Sequence, residues 1–393
     1  MVSRLIKSFF QIFRQIAFRA KPEVVFYSPQ HFNRSTMGVN PYFEPMIDLC
    51  RKTGIRYICL EEPASTSYPA DKKFIPADVF VYLLWLIHKI CINGLGWSLH
   101  KTDKFAGRIL DNITFHRLRA KTYITISNSL IDVLGEINPE GNVYDYQHGI
   151  IYYGHPGYFL SADELRPEFK LKNRRVLLWG ELYKNNLRRL PGIADSEEKF
   201  IVAGYPMYSH HNINRNATTK SILVSMQFTS DISPKVTDGI LEMLYEFIAE
   251  AVKQGYKVLL KHHPRFAGEV NLDYLMKRYE GKVTVTDRPI NEIVQKIKIH
   301  VTWSSTTAME YASYGIPTIF LRDQRFDWAT EMFYGQYNYP LYDKMTYAEV
   351  LERVVSDAIY HEDCTMIKDW YNSAYAPLNN ELILKILKGE LFK

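Results

Sequence analysis

HVTWSSTTAMEYASYGIPTIFL, residues 300–321, reads as one folding unit. A short apolar run at 300–303 suits a buried strand, the hydroxyl-rich turn that follows opens a helical stretch at 306–314, and Gly315-Ile316-Pro317 punctuates the chain before a second strand at 317–321. A strand, a helix and a strand joined by turns this short form a crossover, which sets the two strands parallel.

The same plan extends on both sides. Upstream lie strand patterns at 222–226, 257–261 and 283–286 and helical patterns at 234–254 and 290–296, so this half predicts a Rossmann-like sheet. In the first half, a strand at 24–27, a helix at 41–53 and a strand at 57–60 start another β-α-β series. Further strand candidates follow at 123–126, 143–146, 176–179 and 200–202. The run Val79 to Ile87 is nine residues long before His88 and Lys89 interrupt it, and is expected to be a buried helix. Gly204-Tyr205-Pro206 and the polar run 209–220 read as a linker. A chain of 393 residues exceeds one hydrophobic core, so two domains are expected, at 22–207 and 208–370, with a helical segment at 371–393 able to cross back to the first.

Composition narrows the function. Hydrophobic residues make up 47% and charged residues 23%, which argues against long disordered stretches. The net charge of +5 sits in no long basic block, so nucleic acid is not expected as a partner. Cys50, Cys59, Cys91 and Cys364 form neither a CxxC pair nor a disulfide framework, which suits a reducing compartment and gives no zinc motif.

Residues 1–21 carry Arg4, Lys7, Arg14, Arg19 and Lys21 and no acidic residue. At 100° per residue, Leu5, Ile6, Phe9, Phe10, Ile12, Phe13, Ile16 and Ala17 share one face, while Arg4, Lys7, Gln11, Arg14, Gln15 and Arg19 share the other. Such a basic amphipathic helix can lie in the headgroup region of an anionic membrane. The competing reading is a helix packed on the protein itself. Arg14 and Arg19 interrupt any signal-peptide core, and no run reaches the roughly 20 residues needed to span a bilayer. The expected location is therefore cytoplasmic, peripheral on the inner face of the inner membrane.

In open parallel sheets the ligand sits beyond the carboxyl ends of the strands, and three stretches qualify. Lys261-His262-His263-Pro264-Arg265 follows a strand and offers imidazoles and cations to a phosphate. Ser304, Ser305 and Thr306 open a helix that carries Glu310; hydroxyls and free N–H groups there can bind an anion, or serve as an ordinary N-cap. In the first half, Asp145, Gln147, His148 and Gly149 end a strand, and Tyr152, Tyr153, His155 and Tyr158 follow as an aromatic set suited to sugar faces. His148 is the candidate base and His155 its rival. The chain has no GxSxG elbow, GxxxxGK[ST] loop, HExxH motif or DxD pair, so no metal and no cofactor other than the donor itself is expected.

Over residues 143–321 these motifs resemble bacterial GT-B transferases of surface polysaccharides, a group that includes sialyltransferases, Kdo transferases and CDP-glycerol glycerophosphotransferases. His263-Pro264 is similar to the "HP" motif of the CMP-sugar enzymes, and Ser304-Ser305-Thr306 to their serine motif. Gln147-His148-Gly149 resembles the His-Gly element that the polyol-phosphate enzymes use as base. The sialyltransferases carry an acidic pair before the glycine at the comparable place.

The resemblance implies an α/β fold of GT-B type, with two Rossmann-like domains facing a central cleft, the first holding the acceptor and the second the nucleotide-sugar. It implies transfer of a CMP-activated ulosonate, such as Kdo or a sialic-acid-like sugar, to a lipid-linked or growing glycan. His148 would act as base near Asp145, with Gln147, Gly149, Tyr152, Tyr153 and His155 on the acceptor side. Lys261, His263, Pro264, Arg265, Ser304, Ser305, Thr306 and Glu310 would hold the donor, Glu310 at its ribose. The alternatives are a CDP-polyol phosphotransferase, a nucleotide-sugar 2-epimerase, and a non-enzymatic membrane-docked glycan-binding protein.

Overall fold

The structure, a computed structural model, describes residues 2–18, 20–33, 37–64, 69–152, 155–161, 164–189, 198–209, 211, 220–228, 234–263, 270–303, 305–321, 337, 339 and 346–391. The chain forms two compact units: Met1–Tyr208 with Tyr375–Lys393, and Ser209–Ala374.

The first unit is built on seven strands: β1 (Val24–Pro29), β2 (Tyr57–Glu62), β3 (Ile75–Pro76), β4 (Thr122–Ile126), β5 (Asn142–Tyr146), β6 (Arg174–Leu178) and β7 (Phe200–Val202). They pair in the order β3-β2-β1-β4-β5-β6-β7, and all pairs are parallel. Every residue of β1, β4 and β6 is buried. Helices cover both faces of such a sheet, which is why these strands read as continuous apolar runs instead of alternating ones. The order reverses between β1 and β4, and a crevice for a ligand opens at such a switch point.

The tail belongs to this unit. Tyr205 N–H donates to the Ala376 carbonyl at 2.8 Å, Ala376 N–H to Trp179 at 2.8 Å, and Asn379 N–H to Ala203 at 2.9 Å. Gly204 (φ +90°) lies so close that a Cβ there would stand 2.1 Å from the Pro377 carbonyl oxygen, so only glycine lets the tail dock. The rings of Trp179, Tyr205 and Tyr375 close over the junction. Gly204 and Tyr205, read from sequence as linker, are thus a docking strip.

The N-terminal helix, Val2–Phe18, packs by part of its polar face. Arg4 donates to Asp78 at 2.9 Å and to Gln30 at 2.7 Å, and the buried Ser8 donates to the Pro76 carbonyl at 2.6 Å. Ile6, Phe9, Phe10 and Phe13 point outward, Phe10 with 62% of its surface exposed. Helix Asp78–His88, against which the N-terminal helix packs, is not the buried helix expected of residues 79–87. Phe80, Leu84 and Ile87, at helical spacing, are buried, but Tyr82, Trp85 and Leu86 are exposed. One face meets the core, and hydropathy alone had no way to reveal the other.

The second unit has five parallel strands: β8 (Ser221–Ser225), β9 (Lys257–Lys261), β10 (Val283–Val285), β11 (Ile299–Thr302) and β12 (Thr318–Phe320), in the order β10-β9-β8-β11-β12. Helix Pro234–Lys253 buries Ile240, Leu244, Phe247, Ile248 and Ala251 against the sheet. That spacing of three and four puts a single apolar stripe on the core, and each large side chain contributes roughly 1.5–3 kcal/mol. Here the order reverses between β8 and β11.

Candidate active site

In the first unit the groups gather at the switch-point end of the sheet. Beyond β5, Gln147 N–H still donates to the Leu177 carbonyl at 2.9 Å, continuing the ladder before the chain leaves the sheet. The Gln147 side chain accepts from Trp179 N–H at 2.8 Å and donates to the Gly149 carbonyl at 2.8 Å. It therefore shapes the turn that presents His148. A Cβ at Gly149 would meet nothing within 4 Å among the described residues, which leave the space beside this turn open.

Strand alternation sends Tyr146 and His148 to one side and Asp145 and Gln147 to the other. His148 packs edge-to-face on Phe32, with centroids 5.6 Å apart, and its ring lies 6.5 Å from that of His155. Its Nδ1 is buried and has no hydrogen-bond partner among the described residues. Burial, with His155 and His31 nearby, pushes its pKa down to about 4, so the imidazole is neutral across the physiological range. His155, the rival base, already uses its Nδ1 to accept from Gly157 N–H at 3.0 Å, and burial lowers its pKa as well. Tyr152 sits against it, with ring centroids 4.9 Å apart. Tyr153 lies outside the described residues.

Asp145 is fully buried, and its two oxygens are bonded to groups other than His148. It accepts from Asn128 N–H at 2.8 Å and from the Tyr158 hydroxyl at 2.8 Å, tying the loop after β5 to the turn after β4. Burial raises its pKa to about 7 against those two hydrogen bonds. The β4 turn is strained: Ser127, Asn128 and Leu130 take positive φ values of 64°, 55° and 56°. Sequence reading missed this turn, and it missed His31 and Phe32 just past β1. The strand-end rule that found His148 also selects His31 and Phe32, whereas no residue in the turn signals the backbone strain.

In the second unit, the matching strand ends are largely occupied by their own structure. Lys261 donates to the carbonyls of Asp287 at 3.3 Å and Arg288 at 2.8 Å, holding the chain beyond β10. His262 and His263 are half-buried, and burial lowers the pKa of His262. Pro264, Arg265 and Ser304 lie outside the described residues. Ser305 is buried, and its hydroxyl accepts from Thr307 N–H at 3.2 Å and Thr307 Oγ1 at 2.8 Å, at the mouth of helix Thr307–Ser313. These are local bonds across the turn, since the N-cap position belongs to Thr306, whose side chain makes no cap bond. Thr306 and Glu310 are exposed. Behind them His300, buried in β11, bridges Thr318 and Ser225, each at 2.9 Å. Burial holds its pKa at about 3, so it is a neutral structural link.

No protein-family model and no curated protein matches this chain in sequence. Solved structures match it in fold. A variant of the wall teichoic acid polymerase TagF aligns over 100% of this chain and 100% of its own, with TM-score 0.52 and 12% identity. The UDP-GlcNAc 2-epimerase of Methanocaldococcus jannaschii aligns over 93% of this chain and 99% of its own, with TM-score 0.52 and 12% identity. S. aureus MnaA, solved with UDP, aligns over 95% and 98%, with TM-score 0.55 and 9% identity. The fold is α/β of the GT-B type, with two Rossmann-like units.

Proposed function

We propose that this protein is a glycosyltransferase that moves a sugar from a nucleotide-activated donor to a hydroxyl of a lipid-linked or growing surface glycan. The observation that carries the reading is His148, a neutral buried imidazole at a strand end, with Nδ1 free of hydrogen bonds from the described residues and open space beside Gly149. The acceptor hydroxyl gives its proton to the His148 imidazole and its oxygen bonds to the anomeric carbon. The bond from that carbon to the donor phosphate breaks, and the electron pair leaves on the phosphate oxygen. The second unit takes the nucleotide, and His263 meets the charge on the leaving phosphate without a metal.

A CMP-activated ulosonate is the finer form of this proposal, supported by the likeness of His263-Pro264 and Ser304-Ser305-Thr306 to the motifs of CMP-sugar enzymes. The neighbours bring uridine as the rival, since two of them are a UDP-GlcNAc 2-epimerase and a protein solved with UDP. Thermal-shift binding of CMP, CDP, UDP and GDP tests it. A preference for UDP or GDP overturns the cytidine part, and binding of none overturns the whole reading. The same neighbours favour a 2-epimerase as the second reading. Release of a free epimerised sugar without acceptor would establish that reading against transfer. The TagF likeness keeps polyol-phosphate transfer as a further form of the same site, tested by offering CDP-glycerol.

The acceptor side fits a membrane surface. Among the described residues no helix is long and apolar enough to cross a membrane. Ile6, Phe9, Phe10 and Phe13 are nevertheless exposed on a helix whose other side is bonded to the unit, Tyr82, Trp85 and Leu86 are exposed on helix Asp78–His88, and Ile90 is exposed just beyond it. Lys89 lies over Trp85 at 5.3 Å and Lys101 over Trp97 at 3.9 Å, cations at the height of aromatic rings as an anionic interface requires. Phe9→Ala with Phe10→Ala and Phe13→Ala is expected to release the protein from anionic vesicles in a sedimentation assay. Unchanged sedimentation would remove the membrane from the proposal.

A further inference from the structure

In the helical layer of the first unit, three residues from three helices converge. His100 lies in the first turn of helix Leu99–Ile113, Asp132 in the first turn of Ile131–Ile137, and Glu168 in Pro167–Lys170. One possible ligand atom from each lies within 4.8 Å of those of the other two. Asp132 is 6% exposed and Glu168 8%, while His100 is half-buried and open to solvent on one side.

Half of the carboxylate oxygens are accounted for. Asp132 Oδ2 meets His100 Nδ1 at 2.5 Å, and Glu168 Oε1 accepts from Arg166 Nε. Asp132 Oδ1 and Glu168 Oε2 are buried and receive no hydrogen bond among the described residues. Two buried acceptors of negative charge in one place, each without a donor, are costly unless a cation or proton joins them. The surroundings add more negative charge: Asp103, bonded to His88 at 2.6 Å, acts electrostatically with both His100 and Glu168. Arg174 is a cation that faces Asp132.

We propose that His100, Asp132 and Glu168 bind one first-row divalent cation, with zinc the ion whose preferences best fit one imidazole and two carboxylates. The imidazole disfavours calcium and magnesium, which take oxygen ligands, and three protein ligands leave a position for water. Short motifs and cysteine pairs give no hint of this site, because its ligands come from separate helices and meet only in the fold.

The cation takes no part in transfer, and the proposal stands apart from the function proposed above. It joins helix Pro167–Lys170 to the helices that begin at Leu99 and Ile131. Just before that short helix, Arg166 N–H donates to the Tyr158 carbonyl at 2.9 Å, and Asp132 comes two residues after the strained β4 turn. The ion thus secures the loop and the turn that Asp145 ties together.

The test uses the full chain, stripped with EDTA, dialysed and titrated with Zn²⁺ by calorimetry, with Co²⁺ as a spectroscopic substitute. One equivalent of Zn²⁺ should bind and raise Tm, and Co²⁺ should give a visible d–d band. Glu168→Gln and Asp132→Asn should each weaken Zn²⁺ binding by about tenfold or more and remove the Tm shift. If a variant fails to fold, the wild-type Co²⁺ band and protection of His100 by Zn²⁺ against diethyl pyrocarbonate decide the matter. Absence of stoichiometric binding, absence of that protection, or Zn²⁺ affinity unchanged in both folded variants overturns the proposal.

Discussion

The carboxyl ends of the two sheets are made from the same strand-turn-helix parts but differ in the backbone that carries their polar groups. In the second unit Lys261 serves two carbonyls, Ser305 accepts twice from Thr307 and His300 spans two neighbouring strands, while Trp303 Nε1, just past β11, is buried with no partner among the described residues. In the first unit His148 Nδ1, Trp179 Nε1 and Asn128 Oδ1 are buried with no partner among the described residues, next to three non-glycine residues in left-handed backbone, whereas among the described residues of the second unit no non-glycine residue takes a positive φ. Satisfied polar groups hold a fold together. Unsatisfied ones beside strained backbone cost stability and persist where something else is to be bound. The described part of the first unit therefore joins unsatisfied polar groups to strained backbone at one strand end, whereas the unpartnered Trp303 Nε1 of the second unit stands on unstrained backbone.

The largest expected effect falls on that contrast directly. His148→Ala should lower kcat by about 10²–10⁴-fold and leave nucleotide binding within about twofold, as removal of a general base does. Glycosyl transfer assays with matched thermal-shift titrations measure both. Wild-type turnover would take His148 out of the mechanism and erase the difference between the units.

Asp145 is expected to show next in size, through stability and not rate. Its folded pKa of about 7 lies above the ordinary carboxylate value, so the native state holds a proton that the unfolded chain releases near pH 4. Stability from this group is fully present below pH 4, falls as pH rises to about 7, and is level beyond, by at most about 4 kcal/mol. His148 has the opposite sign: its folded pKa of about 4 is depressed, and it costs stability as pH falls from about 6.5 to 4. Asp145→Asn should therefore be more stable than wild type at pH 8 and more sensitive to acid, because the His148 slope is left uncompensated. Urea melts from pH 4 to 8 check this, and parallel profiles for the two proteins would show that Asp145 is ionised in the fold.

How much of this was legible in the sequence depends on the scale of the feature. The parallel strands were legible because burial on both faces leaves a continuous apolar run, as in Val24-Val25-Phe26-Tyr27. His148 was legible because it follows such a run beside a glycine. The exposed Tyr82 and Trp85 were not, since an apolar residue reads alike whether it faces a core or a membrane. Nor were the roles of Gln147, Asp145 and Lys261, whose partners Trp179, Tyr158 and Arg288 are distant in the chain. A strand-end position shows that a polar residue is near a ligand crevice, but only the fold shows whether a backbone group has already taken it.

The two smallest effects separate ligand from scaffold within the second unit. His263→Ala should weaken nucleotide binding by about tenfold, the size of one lost hydrogen bond to a charged group. Ser305→Ala should act on stability instead. The hydroxyl at residue 305 is buried and already accepts from the N–H and hydroxyl of Thr307, so its loss should cost about 1 kcal/mol of stability through the missing hydrogen bonds and change nucleotide affinity by less than about twofold. Calorimetric titration and thermal melts on the same two variants distinguish the cases. A larger affinity loss in Ser305→Ala than in His263→Ala would mean that the Ser305 hydroxyl trades its bonds to Thr307 for the nucleotide when one binds. The second unit would then be as prepared for a ligand as the first, and the contrast between the two strand-end regions would hold only for the free protein.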